Sequence, residues 1–179
     1  MMLATDRVIL RPWRDADMDE FVAMHADPEV MVDAPALTRA QSEAKFRRYS
    51  ETFERVGFCR WALRRRDDTF LGYVDIMPIP RAHPAAPGVE IGWRLVRPAW
   101  GQGYATEGAK AAMRDGFDRM SFSEVVSYAS PENLRSQSVM RRIGLERDVG
   151  RDFVATTSEG IWIGWVWVAN AHTWDRPTA

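Results

Sequence analysis

The chain has 179 residues, 46% of them hydrophobic and 11% aromatic. That excludes general disorder and is enough to bury a sizeable core in a single compact domain over residues 1–179. Twenty-four Lys and Arg against 25 Asp and Glu leave a net charge of −1, so no bulk positive field recruits nucleic acid or an anionic membrane. One cysteine, Cys59, with no apolar run near about 18 residues and no signal-peptide pattern, points to a packed thiol in a cytoplasmic protein.

In chain order, Arg7–Trp13 reads as a first strand, ended near Asp15, which can cap a helix with Met18, Phe21, Val22 and His25 on one face. A second helix is expected from Thr38 to about Arg55. Strands follow near Cys59–Arg65 and Phe70–Met77, and the Arg64-Arg65-Arg66-Asp67-Asp68 run between them reads as a solvated hairpin turn. Pro78–Gly88 holds four prolines and cannot be regular structure. The strand Val89–Val96 leads into a glycine loop. The helix after it carries Ala105, Ala109, Ala112, Met113, Gly116, Phe117 and Met120 near the 3.6 period. A strand near Val125–Ala129, a helix from Asn133, and strands near Glu146–Val154 and Ile161–Val168 complete the chain. This order, βααβββαβαββ, predicts an α/β fold with a mixed sheet and helices on both faces. Ile161–Val168 is apolar on both pleat faces, so that strand is either central or covered by a partner in a homodimer.

The most informative segment is Trp100-Gly101-Gln102-Gly103-Tyr104-Ala105-Thr106. Glycines between a strand and a helix let backbone N–H groups converge at the positive end of the helix dipole, which suits a phosphate without any lysine. A P-loop would need Gly-Lys-Ser/Thr, and here Tyr104 and Ala105 follow Gly103. A dinucleotide fold would need Gly or Ala where Thr106 stands. The spacing instead resembles the coenzyme A pyrophosphate loop of the GNAT N-acyltransferase superfamily, with Trp100 in the usual Gln/Arg place. The longer run Arg97–Glu107 resembles the branch of RimJ/RimL-type ribosomal-protein alanine N-acetyltransferases. Downstream, Ser130–Leu145 is similar to the second motif of that branch, with Asn133, Ser136 and the helix stop Ile143-Gly144-Leu145. The resemblance runs from about Asp6 to about Val168.

It implies a GNAT-type fold with a mixed, mostly antiparallel central sheet, and acetyl transfer from acetyl-CoA to a primary amine. The acceptor would be a protein N-terminus or a small molecule. On the same resemblance, the main chain of Trp93, Arg94 and Leu95 would contact pantetheine, Gly101, Gln102, Gly103, Tyr104, Ala105 and Thr106 would form the pyrophosphate nest, and Asn133 would touch the coenzyme arm. Asn133 has helix N-capping as its competing role. Met140 stands where many family members place a tyrosine proton donor, which leaves Ser136 for the departing thiolate, or as a simple first-turn serine. Glu90, the carboxylate in the apolar Val89–Trp93 run, is the candidate general base, against the alternative of an Arg-paired or exposed strand residue. His25 and His83 have no ligand spacing, so no metal is expected. Two other functions share these motifs: a detoxifying acetyltransferase for an antibiotic or amino acid, and a non-catalytic acyl-CoA sensor.

Overall fold

The computed structural model of the chain describes residues 1–32, 34–157 and 160–174. Its elements are β1 (Leu3–Ala4), β2 (Val8–Arg11), α1 (Met18–Ala26), α2 (Arg39–Val56), β3 (Arg60–Arg65), β4 (Phe70–Pro78), β5 (Val89–Leu95), α3 (Tyr104–Asp118), β6 (Glu124–Ala129), α4 (Leu134–Arg142), β7 (Glu146–Arg147), β8 (Phe153–Thr157) and β9 (Gly160–Asn170). They fall into two compact units: residues 1–75 with 93–111, and residues 76–92 with the described residues from 112 onward.

In the first unit, β2 pairs antiparallel with β1 and β3, and β3 with β4. Val96 N–H donates to the Leu71 carbonyl at 3.0 Å, tying the end of β5 to β4. The aromatic side chains of α1 and α2 explain how these helices dock. Trp13 lies edge-on to Phe21 (5.1 Å) and Phe46 (5.3 Å), and Phe53 to Trp61 (6.0 Å), geometry that adds to plain burial. Helix α2 starts where expected: Thr38 and Gln41 form a capping box.

Two expectations for this unit are corrected. The carboxylate that organises the start of α1 is Asp17, not Asp15: it accepts from Arg14 N–H at 2.8 Å and pairs with Arg11 at 2.7 Å and Arg64 at 2.7 Å. Arg64 is therefore no solvated turn residue but is buried on that carboxylate, whereas Arg65 and Asp67 pair on the exposed turn. Periodicity could not separate the three consecutive arginines, because only the strand pleat decides that Arg64 points inward.

His25 is fully buried on α1, its Nδ1 2.9 Å from the Phe21 carbonyl. Burial, opposed by that bond and reinforced by Lys45, Arg94 and Arg60, brings its imidazole down to about 4. A folded-state value below the unfolded one near 6.5 gives stability that is present above pH 6.5 and lost as pH falls towards 4. Urea denaturation of the wild type should therefore show a loss approaching about 3 kcal/mol across that window. His25→Gln should remove most of that slope; an unchanged slope would assign the acid sensitivity to other groups.

In the second unit, β6 pairs antiparallel with β9 along its full length, from Glu124–Asn170 to Ala129–Trp165. Strands β7 and β8 also pair antiparallel with β9. The predicted continuous strand 146–154 is thus two strands. Asp152 breaks it, accepting from Arg147 at 2.7 Å and from Val166 N–H at 2.9 Å, so the chain loops out through a short 3-10 turn at Val149–Arg151. Strand β9 is central where Val166, Trp167, Val168 and Ala169 are buried, and its opposite end leaves Ile161 and Ile163 exposed. Helix α4 ends as the Ile143-Gly144-Leu145 stop predicts: Gly144 N–H donates to Arg141 O and Leu145 N–H to Met140 O. Strands β5 and β6 are parallel, registered at Glu90–Val126. Among the strand pairs described, that is the parallel one in an otherwise antiparallel set, which matches the predicted mixed, mostly antiparallel sheet.

Candidate active site

The glycine loop of the first unit is built from its backbone outward. Gly101 and Gly103 have φ of +73° and +80°, the left-handed region that side chains disfavour. The first bond of α3 runs from Glu107 N–H to Gly103 O at 3.0 Å. Among the described residues, no backbone N–H from Gly101 to Thr106 has an intramolecular acceptor. A run of such donors ahead of a 15-residue helix is chemically an anion nest.

Three side chains hold the nest. The Trp100 indole N–H donates to the Leu95 carbonyl at 2.8 Å, which rationalises a Trp in the Gln/Arg place as a staple between β5 and the loop. That bond occupies one lone pair of a main-chain group expected to face pantetheine. Gln102 Nε2 donates to Pro98 O at 2.6 Å. Arg7 donates to Gln102 O at 2.9 Å and to Glu107 at 2.6 Å. Burial would raise the Glu107 carboxyl, but bonds from Thr5, the Arg7 N–H and the Arg7 guanidinium hold it below the usual range, so it is ionised and keeps Arg7 in place. Sequence reasoning missed Arg7, about a hundred positions upstream, because pairing across that distance leaves no local signal. The Arg94 side chain turns to the Val30 carbonyl (2.8 Å), the Met31 sulfur (2.9 Å) and the Tyr73 hydroxyl (3.3 Å); Trp93 is half-buried beside it in β5.

In the second unit, Glu90 is half-buried on β5 and accepts from the Tyr128 hydroxyl at 2.7 Å. One residue further along β5, the Ile91 carbonyl accepts from the Ser127 hydroxyl at 2.8 Å. Tyr128 stacks on His83 from the proline loop at 4.6 Å and meets Phe153 at 5.6 Å and Trp162 at 6.1 Å, both edge-on. His83 Nδ1 accepts from Ala85 N–H at 3.2 Å, which places the ring proton of the neutral form on Nε2, and burial lowers its pKa. The arrangement is a carboxylate of fixed orientation beside a half-buried aromatic wall, able to take a proton from an amine lying against the rings. Tyr128 and His83 were not legible as site residues. Tyr128 could have been found from its place two beyond the register partner of Glu90, had the pairing been known.

In the same unit, Asn133 caps α4, its Oδ1 accepting from Ser136 N–H at 3.1 Å. The capping role is thus present. Ser136 lies half-buried in the first turn, its hydroxyl without a hydrogen bond among the described residues. Met140 is buried, so the place of the family tyrosine offers no proton. Cys59 is fully buried and burial pushes its thiol up to about 11, the state of a packing residue. Among the described residues no group of three His, Cys, Asp or Glu could hold a metal, and no helix is long and apolar enough to cross a membrane.

Comparison with known proteins gives consistent relatives. Residues 7–146 match the family described as an acetyltransferase (GNAT) domain. The Bacillus subtilis (strain 168) protein YkkB, itself uncharacterized, is 31% identical over 146 residues, which span 80% of this chain and 84% of that protein. The N-acetyltransferase YnaD of the same organism, also uncharacterized, is 25% identical over 151 residues, 83% of this chain and 84% of its own. A GNAT-family acetyltransferase crystal structure from Bacillus anthracis superposes with a TM-score of 0.82 at 20% identity, covering 96% of this chain and 99% of that one.

Proposed function

The chain belongs to the GNAT acetyltransferase family, whose enzymes use acetyl-CoA, and on that premise we propose that it moves the acetyl group to a primary amine by direct attack with Glu90 as general base. The acceptor amine is a protein N-terminus or a small molecule, and the Arg97–Glu107 and Ser130–Leu145 motifs favour the RimJ/RimL-type branch. The observation that carries this reading is the Glu90–Tyr128 bond of 2.7 Å beside the aromatic wall.

The residues take the following roles. The Gly101–Thr106 amides hold the pyrophosphate, with Arg7 and Glu107 keeping the loop in shape. Main-chain groups of Trp93 to Leu95 hold pantetheine and the thioester oxygen; a donor aimed at the developing oxyanion is worth about 3–4 kcal/mol. Asn133 caps α4 and meets the coenzyme arm. An α-amine with pKa near ~7.8 is partly neutral at pH 7, whereas a lysine amine near ~10.4 is not, so Glu90 matters more for lysine-like acceptors. The amine nitrogen bonds to the acetyl carbon, Glu90 takes its proton directly or through water, and the C–S bond breaks to release coenzyme A thiolate. Ser136 relays a proton to that sulfur.

Release of free coenzyme A thiol across N-terminal peptides, polyamines, aminoglycosides and free amino acids tests the reading. One class should give saturable release. Tight acetyl-CoA binding with no release from any class would overturn it in favour of an acyl-CoA sensor.

A further inference from the structure

The aromatic wall beside Glu90 is built on one face of the second unit. On β9 the alternate residues Trp162, Gly164 and Val166 share a pleat face. The register sets Phe153 of β8 opposite Gly164, and Tyr128 of β6 opposite Val166. Tyr128 and Phe153 pack against a buried apolar cluster of Ile79, Ala85, Val126, Val166 and Val168. Phe153 lies edge-on to His83 at 5.2 Å and tilted against Trp162 at 5.4 Å, which closes the set of rings around Tyr128. His83, Tyr128, Phe153 and Trp162 are all half-buried. Ring surface is therefore left at solvent on a close-packed base.

Gly164 adds an independent observation. Its φ lies outside the left-handed region, so the backbone does not demand glycine there. The Phe153 ring does. A Cβ at position 164 would stand 2.6 and 2.8 Å from Cε1 and Cε2 of that ring and closer still to Cζ, so the ring lies directly across the glycine. All three atoms belong to the far end of one side chain. An added methyl therefore pushes the ring off the strand and leaves the backbone pairing of β8 and β9 in place. The missing side chain at 164 is what lets Phe153 complete the wall.

Charge at the wall comes from Glu90, through its 2.7 Å bond from the Tyr128 hydroxyl. Asp152, next to Phe153 in sequence, is engaged by Arg147 and Val166 N–H. An acceptor whose nitrogen approaches Glu90 thus lays its substituent on rings. We propose that Phe153 and Trp162, with Tyr128, set acceptor specificity, and that the acceptor is a primary amine carrying a planar aromatic ring close to the nitrogen. An arylalkylamine and a peptide with an aromatic first residue share that chemistry. This rests on the acetyltransferase reading above, with Glu90 as base. Edge-on and tilted contacts are the geometry in which one more ring packs favourably, a gain an alkyl chain does not share.

The thiol-release assay tests this with 2-phenylethylamine against n-butylamine, and with a peptide beginning with phenylalanine against one beginning with alanine. The two arms tell a free arylalkylamine from an aromatic N-terminal residue. In at least one arm the wild type should favour the aromatic acceptor by about tenfold or more in kcat/KM, expressed in KM. Gly164→Ala and Phe153→Leu should each lose that preference while keeping the acetyl-CoA Kd. The preference is a ratio within one sample, so a partly unfolded variant does not distort it. Equal use of aromatic and alkyl acceptors by the wild type in both arms would overturn the proposal. So would a dimer that Phe153→Asp converts to monomer in light scattering, which would assign the wall to a second copy of the chain. If no amine is acetylated at all, the acetyltransferase reading has failed and the wall is judged by binding. 2-Phenylethylamine should then raise the wild-type Tm and not that of Phe153→Leu; no shift, or an equal shift with n-butylamine, overturns the aromatic site.

Discussion

Replacing Glu90 with Gln should lower kcat by about 10²–10⁴-fold while leaving the acetyl-CoA Kd unchanged, the loss typical of a removed general base. The side chain keeps its shape and can still accept from the Tyr128 hydroxyl, 2.7 Å away in the wild type, so the loss reports proton transfer and not collapse of the wall. Residual activity should move to higher pH, because the amine must then shed its own proton before attack. The shift should be larger for a lysine-like acceptor than for an α-amine, whose pKa values differ by about 2.6 units. Tyr128→Phe supplies the contrast: it removes the bond that orients the carboxylate but not the base, so kcat falls less and the pH profile keeps its acid limb. A Glu90→Gln enzyme with wild-type kcat and pH profile would remove Glu90 from the mechanism and leave the amine's own titration as the source of neutral nucleophile.

How much of this was legible in the sequence follows from the range of each interaction. The Trp100–Thr106 loop could be read because its requirements are local: positive φ at two residues and a helix immediately after. Thr38 and Ile143-Gly144-Leu145 were legible as helix ends for the same reason. Arg7 on Glu107, Arg64 on Asp17 and Tyr128 on Glu90 join residues 100, 47 and 38 positions apart, and no local pattern encodes which pairs will meet. The histidines show the same limit. Spacing rules gave His83 little weight, yet the proline loop lays its ring on Tyr128; His25 read as one more residue on an apolar helix face, yet its buried lone pair lies among cations. The broken strand 146–154 failed for a third reason: the break is made by the bonds of Asp152 to Arg147 and Val166, which the strand's own residues do not signal.

Gly72→Ala should destabilise the protein by about 4 kcal/mol, combining strain at a glycine-only backbone conformation with overpacking that cannot relax. Gly72 has φ of +134°, and a Cβ there would stand 2.1 Å from the Arg94 carbonyl oxygen and 2.6 Å from Leu95 Cα. Both are backbone atoms, so no rotamer change relieves the clash; β5 itself must move away from β4. The register explains the close approach: Leu63 pairs with Gly72 and Arg64 with Phe70, which leaves Leu71 as an extra residue in a bulge. Its carbonyl accepts from Val96 N–H at 3.0 Å, so the bulge draws the two backbones together at the strand end that leads into the glycine loop. The expected loss corresponds to a fall of roughly 8–16 °C in Tm for a chain of this size. Acetyl-CoA affinity should also fall in the fraction still folded, because displacing Leu95 pulls on the indole that staples the loop. Gly101→Ala is the control. It has positive φ but no atom within 4 Å of the added carbon, so its cost is the backbone term alone, about 1–2 kcal/mol. A Gly72→Ala protein no less stable than Gly101→Ala would mean that β4 and β5 separate more freely than their bonds imply, and that the loop is positioned by Arg7 and Glu107 instead.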